Sequence, residues 1–490
     1  MMSQIPSFVT SLPDGTDTGL YLAVDLGGTN LRVCSVDLHG DTTFSIKQSK
    51  AAIPPEMMVA ATFNDLFSFI AAKVQLFLET HHADYTQVDP LVDIATKGKS
   101  RNLLLGFTFS FAFEQQALNR GSLLRWTKGF NIPDAIGQDI CSVLQVEIDK
   151  RNLPVTVAAL VNDTVGTLLA RSYTSPGTTT TLLGAIFGTG TNGAYVERLQ
   201  NITKLDSSRA DGIMVVNTEW GSFDNELLVL PNTPYDKAVD AESVHCGIQM
   251  FEKRISGMYL GEILRHAILA MASSIPDTSQ TSRASEPFAI DASFLSMAAA
   301  DDSPGFVVLR RQLKQLLDLD ADLETAEAVK ILALAIGKRA ARLAGVAIAG
   351  VVLKSGRVDS TSKSEAETKL DRDIESGELR RVSERKGLRA SLYALYKTIR
   401  SFLGRWSGWL SSEMNNSGND KANDVIDIGV DGSLIEYYPG FEETIRSTLR
   451  DVEAIGPEGE KRVRIGIAKD GSGVGAALVA RMAGIELERT

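Results

Sequence analysis

One device occurs twice in this chain and constrains its fold more than any bulk property: an apolar strand that breaks at glycines and resumes as a second strand. The segment Gly19-Leu-Tyr-Leu-Ala-Val-Asp25 runs into Gly27-Gly28, and alternation resumes at Arg32-Val-Cys-Ser-Val36. That is the pattern of a β-hairpin with a glycine turn. Later, Thr180-Thr-Leu-Leu-Gly-Ala-Ile-Phe187 breaks at Gly188-Thr-Gly190 and resumes at Ala194-Tyr-Val-Glu197. Around these hairpins, helical periods at 62–79, 139–150, 249–272 and 325–352 alternate with strands at 103–109, 155–160 and 426–430, before a closing segment at 463–483. The alternation predicts an α/β fold. At 490 residues the chain is too long for one ordinary core. Two similar α/β lobes facing a central cleft are the simplest architecture.

Charge and cysteine usage narrow the function. A net charge of −11 argues against nucleic acid as the main partner, which needs a basic face. It leaves nucleotides open, because backbone amides and a metal bind those. Cys34, Cys141 and Cys246 are scattered, odd in number and without metal-ligand spacing, as expected in a reducing compartment. The first 20 residues lack a basic start followed by an apolar core, and no apolar run is long enough to span a membrane. A cytoplasmic protein is expected.

The least regular stretch is 354–423. Its first part is Ser-rich and of mixed charge, and reads as exposed. From Leu388 the apolar residues Leu392, Leu395, Ile399, Phe402, Leu403, Trp406 and Leu410 follow at mostly helical spacing within a basic context. A basic amphipathic helix over 388–410 suits an anionic membrane surface, such as the mitochondrial outer face, or a partner's groove. The plainer alternative is packing on the chain's own lobe.

Four glycine-containing segments carry candidate chemistry. In Asp25-Leu-Gly-Gly-Thr-Asn-Leu-Arg32, Gly27 and Gly28 let the backbone approach a phosphate. Thr29 and Asn30 offer polar contacts there, Arg32 adds charge, and Asp25 is placed to orient Mg2+ through water. Gly188, Thr189 and Gly190 form a second such turn. Asp431-Gly432-Ser433 follows an apolar strand, and Gly471 and Ser472 open the final helix, where unpaired amides and the positive dipole end favour an anion. Each segment taken singly is equally readable as a plain turn. Their joint occurrence is not.

The order and wording of these segments resemble the hexokinase family of the actin-like ATPase superfamily, from about Pro6 to Ala483. Between the phosphate segments lie Leu105-Gly-Phe-Thr-Phe-Ser-Phe111, Arg125-Trp-Thr-Lys-Gly-Phe130, Val161-Asn-Asp-Thr164 and Asn217-Thr-Glu-Trp-Gly-Ser-Phe-Asp224. The resemblance implies two actin-like (ribonuclease H-like) lobes around a cleft, here divided as 1–161 and 162–490 with an inserted segment at 354–423. It implies transfer of a phosphoryl group from Mg·ATP to a hexose, glucose first, at the 6-hydroxyl, as the entry step of glycolysis. Asp163 would take the hydroxyl proton and Lys128 would offset charge on the transferring group. Ser110, Phe111, Thr127, Asn162, Asn192, Glu219 and Glu252 match the family's sugar contacts. Taken alone, Asp163 reads equally as a helix N-cap. Lobe closure is expected to hinge near Asn162 and in the returning C-terminal segment.

Departures from the family pattern keep a second reading open, a non-catalytic hexokinase-like sugar sensor. Ser110-Phe-Ala-Phe-Glu-Gln115 has alanine where the family usually has proline, and Cys246-Gly-Ile-Gln249 replaces Pro-Gly-Gln-Gln ahead of Glu252. Tracts at 93–101 and 354–423 look added, as surface insertions or as translated intron sequence. The long one enters close in sequence to the Asp431 segment.

Overall fold

The computed structural model describes residues 2–28, 30–86, 102–126, 129–175, 180–205, 211–272, 283–358 and 425–489. A two-residue strand, β1 (Ile5–Pro6), precedes the first hairpin. That hairpin joins β2 (Thr18–Leu26) to β3 (Asn30–His39), and β4 (Phe44–Ala52) extends it, each strand antiparallel to the last. Next come β5 (Leu103–Phe109), a separate ribbon of β6 (Ala112–Ala117) and β7 (Arg120–Arg125), and β8 (Val155–Val161). Strands β5 and β8 are almost continuously apolar and lie parallel to β2, as strands covered on both faces do. The sheet order is β4-β3-β2-β5-β8.

The second half builds the same sheet again. Its meander is β9 (Thr181–Phe187), β10 (Thr191–Arg198) and β11 (Ile213–Asn217), with β12 (Ile426–Asp431) and β13 (Val463–Ile467) parallel to β9. The order β11-β10-β9-β12-β13 matches that of the first sheet strand for strand, with β1 added outside β11.

Helices complete the layers. On α1 (Phe63–His81), Leu66, Phe67, Ile70, Val74 and Phe77 bury one stripe against the first sheet, and α2 (Ile140–Lys150) packs beside it. Helix α3 (Asp163–Thr174) follows β8. In place of the single helix expected over 249–272 there are two, α4 (Glu252–Ile255) and α5 (Gly257–Ala272). The break frees the amides of Gly257 and Met258 to bond the carbonyls of Gly188 and Thr189 at 2.7 and 3.1 Å. A tertiary demand thus overrides local helical period. The remaining elements used below are α6 (Leu323–Lys354), α7 (Ser433–Tyr437), α8 (Phe441–Asp451) and α9 (Gly471–Arg489).

Two helices exchange sheets. Helix α3, which follows the first sheet, lies on β9, β10 and β12 of the second, whereas α9, which follows the second, lies on β2, β5 and β8 of the first. They cross each other closely: a Cβ on Gly475 would stand 2.1 Å from the Cα of Gly166. The expected hairpins and the strands 103–109, 155–160 and 426–430 are all present. The expected helix at 388–410 and the tract at 93–101 lie outside the described residues.

Candidate active site

The strand ends and helix starts of both sheets meet where α3 and α9 begin. Asn162 is the N-cap of α3, its Oδ1 accepting the Thr164 amide at 3.0 Å. Asp163, the first helical residue, is therefore not the cap. Its carboxylate is half-buried and accepts a hydrogen bond from the Ser110 hydroxyl at 3.2 Å. Ser110 itself follows β5, its amide held by the Leu26 carbonyl.

From the second sheet comes a connected polar wall. The Asn192 side-chain amide donates to Asn217 at 2.8 Å, to Glu219 at 3.1 Å and, more weakly, to Asn162 at 3.4 Å. Asn217 donates in turn to the Glu219 carboxylate at 2.8 Å. Glu219 sits in the left-handed region (φ 52), a strained backbone state for a non-glycine residue that turns its side chain back toward Asn192. Glu252 accepts the Thr191 amide at 3.0 Å. Two carboxylates and three carboxamides from four segments thus present acceptors and donors side by side, a set suited to hydroxyl groups.

Facing this wall are the phosphate-loop candidates. Asp25 pairs in register with Arg32 across the first hairpin, and its carboxylate accepts the Ser472 hydroxyl at 2.8 Å. Arg32 forms an ion pair with Asp470 at 3.2 Å. Gly471 and Ser472 start α9, so that loop is tied to the first sheet, a link the Thr108 hydroxyl reinforces by bonding the Ser472 carbonyl at 2.9 Å. Gly188, Thr189 and Gly190 turn between β9 and β10. Gly432 abuts this turn, and Ser433 begins α7 beside it. Asp431 closes β12. Burial pushes its carboxyl up from 3.8 to about 6; the negative charges of Asp163 and Asp470 add to the rise, and the Gly432 amide and Arg32 oppose it. A half-buried carboxyl whose ionisation is opposed by its surroundings is a site where a cation is welcome. Asp25, next to last in β2, and Asp431, last in β12, each offer carboxylate oxygens, the donor type that fits a hard divalent ion carried by a nucleotide.

Gly27 and Gly28 follow β2 in the turn to β3 and Asn30 opens β3, while Thr29 lies outside the described residues. So do Thr127 and Lys128. On either side of them Trp126 and Phe130 stack with centroids 5.3 Å apart, and the Trp126 indole donates to the Ile132 carbonyl. The Phe111 ring is buried among Phe109, Trp126 and Phe130, where it supports the Ser110 loop.

Three residues join the site that sequence reasoning did not single out. Asn217 was visible only as the start of the segment containing Glu219. Asp470 precedes Gly471 with φ 56. Gln249 also has positive φ (58), and its Oε1 is buried without a partner among the described residues, 3.2 Å from the ideal Cβ position on Gly221. A buried acceptor left unbonded costs stability, and a ligand hydroxyl would satisfy it. Its signal in the sequence was position, one helical turn before Glu252.

Paired sheets of one topology, crossed helices and glycine turns at the strand ends define the actin-like class of two-lobed α/β proteins. Hexokinase family models match residues 1–173 and 182–482. Among curated relatives, a glucokinase of Aspergillus niger is 47% identical over 100% of this chain and 90% of its own length. Glucokinase-1 of Saccharomyces cerevisiae is 36% identical over 98% of this chain and 88% of its own. A solved hexokinase of Schistosoma mansoni complexed with glucose superposes with a TM-score of 0.71 at 31% identity, over 98% of this chain and 89% of that one. The chain belongs to the hexokinase family.

Proposed function

We propose that this protein is an ATP-dependent hexokinase that phosphorylates the 6-hydroxyl of glucose, acting in the cytoplasm at the entry to glycolysis. The observation that carries the reading is the position of Asp163, bonded to Ser110 beside the polar wall of Asn192, Asn217 and Glu219, and near enough to Asp431 to raise that carboxyl.

In this reading the sugar's hydroxyls bond Asn162, Asn192, Glu219, Glu252 and Gln249, with Thr127 and Ser110 closing the other side. Asp163 accepts the proton of the 6-hydroxyl as its oxygen forms a bond to the γ-phosphorus, and the bond from that phosphorus to the β–γ bridging oxygen breaks. Lys128 offsets charge on the transferring group. The amides of Gly27, Gly28, Gly188, Gly190, Gly432 and Gly471 and the side chains of Thr29, Asn30, Arg32, Thr189, Ser433 and Ser472 hold the nucleotide. Asp25, through water, and Asp431 would hold the Mg2+ that comes with ATP, which would supply positive charge against the phosphates. Family membership supports this assignment, as does a relative solved with glucose. Among the described residues no helix is long and apolar enough to cross a membrane.

The test is a coupled assay of purified protein with Mg·ATP and glucose, alongside Asp163→Ala. Turnover by the wild type and its loss in the variant is expected. Glucose-dependent thermal stabilisation without any turnover would instead identify a sugar sensor.

A further inference from the structure

Asp427, at the start of β12, is fully buried (0% exposed) and receives four hydrogen bonds from three other elements. Arg171, in the last turn of α3, contributes two, from Nε at 2.9 Å and Nη2 at 2.6 Å. Arg464 Nε on β13 donates at 2.6 Å and the Thr181 hydroxyl on β9 at 2.9 Å. Burying such a cluster is a poor route to stability alone, since apolar side chains of similar volume often serve as well. The cluster lies at the opposite end of β12 from Asp431 and touches none of the site residues above.

What lies beneath Arg171 suggests its purpose. Gly429 and Gly466 are paired in register on β12 and β13, and a Cβ on either would come within 2.5 or 2.3 Å of the Arg171 side chain. Gly184, paired with Gly429 on β9, makes room for the α3 backbone at Thr164 and Leu168. Helix α3 thus rests on a row of glycines across three strands. Such a surface has no side-chain ridges to interlock with those of the helix, so little packing resists a shift along the helix axis. A two-pronged charged hydrogen bond does resist it.

The geometry of the two elements also matches. From Asp163 to Arg171 the helix rises about 12 Å. From Asp427 to Asp431 the strand advances about 13 Å. Pinning Arg171 to Asp427 at one end therefore sets Asp163 beside Asp431 at the other. We infer that Arg171 and Asp427 are positioning residues: their pair fixes the register of α3 along β12 and so the placement of the catalytic carboxylate against the phosphate site. The inference rests on the kinase reading above.

Two variants separate positioning from mere stability. Arg171→Lys keeps the charge but loses the fork; Thr181→Val removes one bond to the same carboxylate without touching α3. At a temperature well below either melting point, each is titrated with glucose by tryptophan fluorescence and assayed for turnover. Both should lower Tm and bind glucose stoichiometrically with KM within about threefold of wild type. Only Arg171→Lys should lose kcat, by roughly tenfold to a hundredfold, the scale expected of an ångström-sized misplacement. Unchanged kcat in Arg171→Lys, or equal losses in both variants, would overturn the inference. Should Arg171→Lys fail to fold, Asp427→Asn is judged by the same criteria. Absence of glucose-dependent ADP release by the wild type would remove the kinase reading itself.

Discussion

At Asp431 charge and burial are in conflict. In the folded, ligand-free protein its carboxyl titrates at about 6, against 3.8 in its ordinary state, chiefly because it is buried. A carboxyl with a raised folded pKa adds most to stability below the lower value, and that contribution is lost as pH rises through the upper one. At neutral pH the ionised side chain thus costs on the order of 3 kcal/mol. Asp431→Asn keeps an acceptor for the Gly432 amide, so it should raise the Tm of ligand-free protein at pH 7.5 by several degrees and change it little at pH 4. Differential scanning fluorimetry at the two pH values checks this; the same variant should bind Mg·ATP more weakly by calorimetry. Gln249 poses a related problem, a buried acceptor with nothing bonded to it among the described residues. Gln249→Ala loses no such bond in the free protein, so its sugar-free Tm should hold within about 2 °C. Its KM for glucose should rise roughly tenfold, the worth of one hydrogen bond. A matching fall in sugar-free Tm would mean that the side chain serves the fold. Neither property was legible in the sequence, because burial and like-charge proximity arise between segments that only the fold brings together, such as Asp431 with Asp163 and Gln249 with Gly221.

At the scale of elements, the crossing of α3 and α9 holds the two sheets together. Gly475→Ala would put a methyl carbon 2.1 Å from the Gly166 Cα, against backbone with no flexible end to move. Overpacking of this kind costs about 1–3 kcal/mol even where side chains can yield. The variant should therefore melt several degrees lower or fail to accumulate as folded protein, by circular dichroism. Most strands were legible because an apolar run between turn residues carries its own signal, as at Leu103–Phe109 and Thr181–Phe187. The glycine turns were legible for the same reason. What escaped was set by distant partners. The break at Ser256 answers the Gly188 and Thr189 carbonyls, and β1 is two residues that become a strand only by pairing with β11. The exchange of α3 and α9 between sheets leaves no local trace, since each helix has an apolar face whichever sheet it covers.

For the molecule as a whole, the repeated strand order places both sets of strand ends around one site, and it also fixes where the chain between α6 and β12 leaves and re-enters the fold. The tract at 359–424 begins after α6 and ends before β12. Its described ends are both fixed at the far end of the second sheet. Arg357 bonds the carbonyl and hydroxyl of Thr180 ahead of β9, and the Ile426 amide, which opens β12, bonds the Arg462 carbonyl. Val358 packs against Gly459, three residues from Arg462, so the two ends lie near each other. From there β12 runs its full length, about 17 Å, before reaching Asp431. A chain that leaves and re-enters the fold at neighbouring points adds mainly a loop-closure cost, which grows slowly with length. Replacing 359–424 by a short Gly-Ser linker should therefore leave kcat and both KM values within about twofold and Tm within a few degrees. Steady-state kinetics with glucose and ATP varied in turn would reveal the alternative. A selective rise in the KM for ATP would mean that the tract contributes to the nucleotide site, despite the distance of its roots from it.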